Sequence, residues 1–189
     1  MALSLGHPLE LRARRWDGDH CFPLEYLPGH GGAQDPRRVF IRAFKAGDFR
    51  ADRIARELLI NGLLDRERSL SRCGSGRLLV PIPGHLAGPA GPPLDRVCRD
   101  LAAALPWLLY RPGLLVRDHG VRQSSTNTSR PTVAEHLNSL CWTGGRIHCS
   151  VVIVDDVYTH GRTSNACRRL LADAGAAHVA VSCLAVTRL

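Results

Sequence analysis

Lysine is nearly missing from this 189-residue chain: Lys45 is the only one, and the other 24 of its 25 basic residues are arginine. Aromatic residues make up only 5%, and the three tryptophans at 16, 107 and 142 show no regular interleaving with basic residues. The stacking platform of a single-strand nucleic-acid binder is therefore not indicated, and nucleic acid stays an unsupported partner. No run approaches the roughly 18 consecutive apolar residues of a membrane span, so no membrane partner is expected. The segment Met1–Trp16 interleaves acid and base without an apolar stretch, which does not read as a signal peptide and makes a cytoplasmic location the expectation. No C-x-x-C pair occurs among the seven scattered cysteines, which argues against a disulfide framework or a four-cysteine zinc site. His7, His20, Cys21 and His30 match no familiar ligand spacing.

What is present is an ordinary globular balance, 44% hydrophobic and 22% charged, with a formal net charge of +8. GC-rich codon usage accounts for arginine over lysine. The surplus of positive charge itself suits phosphate-bearing partners, because guanidinium forks match phosphate oxygens.

Residues 1–38 mix Pro, Gly, His and aromatics without periodicity and read as an N-terminal extension, or hood, on a main domain spanning 39–189. Val39-Phe40-Ile41 with Phe44 forms a short apolar stretch, and Ala51, Ile54, Ala55, Leu58 and Leu59 predict a helix over about 48–64. Leu78 to Pro83 reads as a buried strand stopped by prolines, followed by a Gly/Pro loop to Pro93 and a helix over Leu94–Leu105. Leu114–Val116 is a short strand, Arg117–Arg130 a long polar loop, and Leu137–Cys149 a hairpin turning at Thr143-Gly144-Gly145. Val151–Val154 is a continuous apolar run of the kind central parallel strands show; a helix ending at Gly175 and a strand over His178–Val186 complete the chain. This alternation predicts an α/β fold with a mostly parallel central sheet flanked by helices.

The chemistry concentrates in Val151-Val152-Ile153-Val154-Asp155-Asp156-Val157-Tyr158-Thr159-His160-Gly161-Arg162-Thr163. A buried strand delivers two adjacent carboxylates to its C-terminal end, the edge at which open α/β sheets bind ligands. The small-residue loop that follows runs into a helix, a natural place for a phosphate. Carboxylates beside a phosphate cradle suit a ligand that carries both hydroxyls and phosphate, such as a ribose 5-phosphate unit.

This stretch resembles the phosphoribosyl pyrophosphate (PRPP) signature of the type I phosphoribosyltransferases. Phe40 to Asp48 and Val80-Pro81-Ile82-Pro83-Gly84-His85 are similar to segments of the ComF-like competence-protein branch. That branch's N-terminal four-cysteine zinc ribbon is absent here, since Cys21 stands alone in the region. Receiver domains open on a similar strand but carry their acids near the start, whereas only 33 residues follow Asp156. The resemblance implies the type I phosphoribosyltransferase fold and transfer of ribose 5-phosphate from PRPP to an unidentified acceptor, a nucleobase-like nitrogen, or the reverse, with Mg²⁺ as cofactor. It implies that Asp155 and Asp156 hold the ribose hydroxyls and that Thr159, His160, Gly161, Arg162 and Thr163 cradle the 5-phosphate. Gly84 and His85 would receive pyrophosphate, and Arg117, Arg122 and Arg130 would belong to a catalytic lid. The ion would be carried mainly by PRPP, with Asp155 and Asp156 as its protein contacts, and a homodimer is a further expectation. His160 stands where Thr, Ser or Ala is commoner in the family, and no third acid follows the pair, Thr159 taking that place. A non-catalytic PRPP-binding regulator, or a ComF-like role in DNA handling, is the alternative that the resemblance leaves open.

Overall fold

A computed structural model describes residues 15–17, 20–22, 24–26, 35–70, 76–122 and 130–187, with side chains described from residue 35 onward except for 66–70. The histidine and cysteine cluster weighed above as a metal site lies outside the described side chains.

Five parallel pairings build the central sheet. Strands β1 (Arg15–Asp17), β2 (His20–Phe22), β3 (Leu24–Tyr26), β4 (Arg77–Pro81), β5 (Leu108–Tyr110), β8 (Ser150–Tyr158) and β9 (Val179–Thr187) take the order β1-β2-β9-β8-β4-β5, with β3 also pairing β9. Every neighbouring pair is parallel except β1 with β2. Strands β2 and β3 pair with β9 one after the other, at Val181–Ser182 and then Ala185–Thr187, so the described parts of the N-terminal segment extend this sheet. A separate antiparallel pair joins β6 (Leu115–Arg117) to β7 (Leu140–Trp142).

Helices cover both faces, and the sequence of β8 shows why. Val152 and Val154 pack with Phe40, Ile41 and Phe44 of α1 (Pro36–Lys45), Leu58 and Leu59 of α2 (Phe49–Leu70), and Val97, Cys98 and Leu101 of α3 (Pro92–Ala104). Val151 and Ile153 point the other way, against Ala166, Cys167 and Leu171 of α5 (Arg162–Asp173) and Leu140 beside α4 (Val133–Ser139). A strand buried on both faces favours apolar residues on both sides, which is why β8 runs unbroken from Val151 to Val154 and β9 is apolar from Val179 to Val186 except at Ser182.

Several expectations are corrected. The apolar stretch Val39 to Phe44, to which the sequence assigned no element, lies inside α1, where Asp35 caps the first turn through the backbone N–H of Arg37 and Pro36 occupies the start. The expected 137–149 hairpin does not form: residues 133–139 are helical, and β7 pairs backward with β6. Strand β5 and helix α4 were not anticipated. The polar loop expected from Arg117 begins one residue later, because Arg117 is the last residue of β6 and only 2% exposed.

Candidate functional site

Strands β4 and β8 lie side by side and parallel, in register from Arg77–Ser150 to Pro81–Val154. Their C-terminal ends therefore open at the same edge, and the two loops that follow face one cavity of about 720 Å³. Its wall includes Gly84 and His85 after β4, Arg117, Arg122 and Arg130, and Asp155, Asp156, Thr159, His160 and Thr163 from β8 onward. A cup of about 40 Å³ at one end adds Gly161 and Arg162. All twelve residues singled out in the sequence thus border one continuous region.

The adjacent acids serve opposite faces of the sheet. Asp156 points toward α1, where Lys45 Nζ lies 2.9 Å from its Oδ2. Asp155 lies on the side of α4 and α5, lining the cup with His136 and Thr163. Its Oδ1 accepts the Asp156 backbone N–H at 2.8 Å. Burial first, and then the neighbouring Asp156 charge, push the Asp155 carboxyl up to about 8.

The β8–α5 loop presents donors without a competing acid. Gly161, at φ 67°, is the N-cap of α5; no side chain caps it, and no acid lies in the first turn. The first-turn N–H groups and the positive end of the helix therefore remain open to an anion. Glycine is required here twice over, because a Cβ would fall 2.2 Å from the Tyr158 hydroxyl in addition to the positive φ. Arg130 lies against the His160 ring within hydrogen-bond reach of its nitrogens. Partial burial, reinforced by the Arg130 and Arg162 charges, holds the His160 imidazole below its ordinary range. Arg162 turns back to donate to the carbonyls of Arg130 and Pro131, at 3.2 and 3.1 Å.

The loop after β4 is held by the β6 side of the domain. Arg117 Nε donates to the Gly84 carbonyl at 2.7 Å, Val121 N–H donates to the His85 carbonyl at 2.8 Å, and Gly88 and Arg117 exchange backbone hydrogen bonds. Arg117 is thus a fixed part of the floor, whereas Arg122, paired with Glu135 at 3.1 Å, and Arg130 are more exposed. Burial lowers the Arg117 pKa, yet an arginine stays charged across the physiological range.

His136 was missed as a site residue. It is 4% exposed, lies within hydrogen-bond distance of Thr163 Oγ1 (3.3 Å) through Nε2, and lines both the cup and the cavity. Burial, and secondarily the Arg117 charge, push its imidazole down to about 4, so it is neutral at pH 7. The signal was present in Thr132-Val133-Ala134-Glu135, whose spacing is that of a capping box. Both reciprocal bonds of that box form, which starts α4 and turns His136 inward.

The cavity wall carries Arg38, Lys45, Arg117, Arg122 and Arg130 against only Asp155 and Asp156. A surplus of cations around two carboxylates suits a ligand with several anionic oxygens and a pair of hydroxyls. No family model matches the chain, and no curated protein matches it either.

Proposed function

We propose that this chain is a phosphoribosyltransferase of the type I fold, of a divergent ComF-like kind, that binds PRPP with Mg²⁺ and transfers ribose 5-phosphate to an acceptor, a nucleobase-like nitrogen. The observation that carries this reading is the meeting of three features in one cavity. These are the paired carboxylates at the end of β8, the uncapped start of α5, and the Gly84–His85 loop at the end of the adjacent parallel strand. Their order along the sheet edge matches the parts of PRPP, with ribose hydroxyls between a 5-phosphate and a pyrophosphate.

In this reading Asp155 and Asp156 orient the ribose from the two faces of the sheet. Thr159, His160 and Thr163, with the backbone at Gly161 and Arg162, hold the 5-phosphate. Gly84, His85 and the cavity arginines receive the pyrophosphate as it leaves. No covalent nucleophile is required: the bond from the anomeric carbon to pyrophosphate breaks through an oxocarbenium-like state as the acceptor nitrogen bonds to the same carbon. The protein's task is positioning and charge neutralisation. No three His, Cys, Asp or Glu side chains gather as a metal site among the described residues. Asp155 and Asp156 are the carboxylates of the cavity that would contact a magnesium ion carried by pyrophosphate and water, and the bound ion would neutralise the leaving group.

Calorimetric titration with PRPP and Mg²⁺, beside the Asp155→Asn/Asp156→Asn variant, tests the assignment. Binding by the parent that is lost in the variant supports it, and a screen of bases for pyrophosphate release then identifies the acceptor. No heat and no thermal shift at millimolar PRPP would refute it. His160, which stands in the cup against Arg130 where the resembled family carries a small residue, favours one second reading, a PRPP-binding regulator without catalysis. Binding without turnover for any acceptor would select that reading.

A further inference from the structure

A buried arginine whose described hydrogen bonds reach no carboxylate is costly, and its surroundings indicate what it does. Arg117 is 2% exposed; Nε donates to the Gly84 carbonyl at 2.7 Å, and Nη1 donates to the Ser139 hydroxyl. Ser139, fully buried, donates its own hydroxyl hydrogen bond to the His136 backbone carbonyl at 2.8 Å. His136 Nε2 then meets Thr163 Oγ1 in the first turn of α5. The chain of contacts begins at the loop after β4 and ends at the loop after β8. Ser139 borders neither the cavity nor the cup, so it touches the site only through its neighbours.

We infer that Arg117, Ser139 and His136 are positioning residues that couple the two loops, so that an anion held at one loop tightens the hold of the other loop on a second anion. This rests on the phosphoribosyl reading for the identity of the two anions. Its physical basis is shared order. A ligand that fixes the Gly84 carbonyl fixes Arg117 and, through Ser139, the α4 turn that holds Thr163, so the second ligand has less left to order. Buried hydrogen bonds of this kind have few alternative partners, and a local shift therefore passes along the chain rather than dissipating.

The test uses the full chain, with magnesium pyrophosphate and ribose 5-phosphate as probes, titrated singly and then each in the presence of the other. Moderate salt suppresses repulsion between the two ligands. In the parent each ligand should tighten the other by about fivefold or more, and by the same factor in both directions, because linkage is reciprocal. Ser139→Ala should cut that factor below about twofold while each ligand alone binds within about threefold of the parent, a split that general loosening would not produce. Should Ser139→Ala not fold, Ser139→Cys, which keeps the side chain's size but donates and accepts only weakly, carries the same expectation. Both ligands binding the parent without mutual effect overturns the coupling and leaves the phosphoribosyl reading standing. So does coupling that survives in Ser139→Ala, or in Ser139→Cys. A parent that binds neither ligand overturns both.

Discussion

Replacing Gly161 by alanine tests the phosphate cup at its most constrained atom. The new Cβ would lie 2.2 Å from Tyr158 Oη and 2.6 Å from Cζ, at a backbone φ of 67°. The left-handed conformation costs an L-residue about 1–2 kcal/mol. Pushing the Tyr158 ring off its rotamer adds about 0.5–1.5 kcal/mol. The expected destabilisation is about 2–3 kcal/mol, which lowers the melting temperature of a domain this size by roughly 4–12 °C. Calorimetry or circular dichroism would read the shift, and titration with ribose 5-phosphate would read the accompanying loss of binding. Gly161→Ala/Tyr158→Leu separates the two costs: shortening the ring should recover about 1 kcal/mol of the contact and none of the backbone strain. A single variant within about 0.5 kcal/mol of the parent would refute the geometry. A double variant whose effects simply add would refute the role given to Tyr158.

Arg130→Ala should weaken magnesium pyrophosphate binding about tenfold, the worth of one charge-assisted hydrogen bond, with little change in melting temperature; unchanged affinity in the titration would remove Arg130 from the site. Lys45→Met should cost less than about 1 kcal/mol, because the pair with Asp156 is half exposed and screened, and a larger loss in a urea melt would contradict that. Asp155 and His136 should bend the pH dependence of stability in opposite senses. With its folded pKa raised to about 8, Asp155 contributes stability that is complete below the ordinary carboxylate range and lost as pH rises through about 8, so Asp155→Asn should flatten the fall between pH 5 and 8. With its folded pKa lowered to about 4, His136 contributes stability that is complete above about 6.5 and lost as pH falls toward 4, so His136→Gln should flatten the acid side; melts across pH 4–9 that keep the parent's slopes in either variant would contradict the assignment.

The central layer was legible because burial on both faces leaves a plain mark. Val151–Val154 and Leu78–Pro81 are apolar throughout, Val179–Val186 is apolar but for Ser182, and α3 and α5 repeat apolar residues at helical spacing. Helix α1 was hidden by the same logic in reverse. Its contiguous Val39-Phe40-Ile41 looks extended, while its helical character comes from the Asp35 cap and Pro36. Strand β5 is three residues long and lies at the sheet edge with Leu109 exposed, which is too little periodicity to register. Of the site, the β8–α5 segment announced itself because its residues are consecutive. The buried seat of Arg117 and the contact of His136 with Thr163 did not, since they depend on a β6–β7 pairing across more than twenty residues.

Two identical residues in succession ended in different environments because a strand alternates its sides. Asp155 inherits the α5 face of Ile153, and with it burial, the Cys167 neighbourhood and a carboxyl that resists ionisation. Asp156 inherits the α1 face of Val154, and with it a lysine at 2.9 Å. The lone lysine of an arginine-rich chain therefore stands opposite the acid that can use a single point charge. The forked arginines stand around the space where a ligand with several oxygens would sit. A second carboxylate on either face alone would have met its twin at close range and could not have ionised beside it. Splitting the pair across the sheet gives the two carboxyls different neighbours, burial beside α5 for Asp155 and the Lys45 ammonium for Asp156.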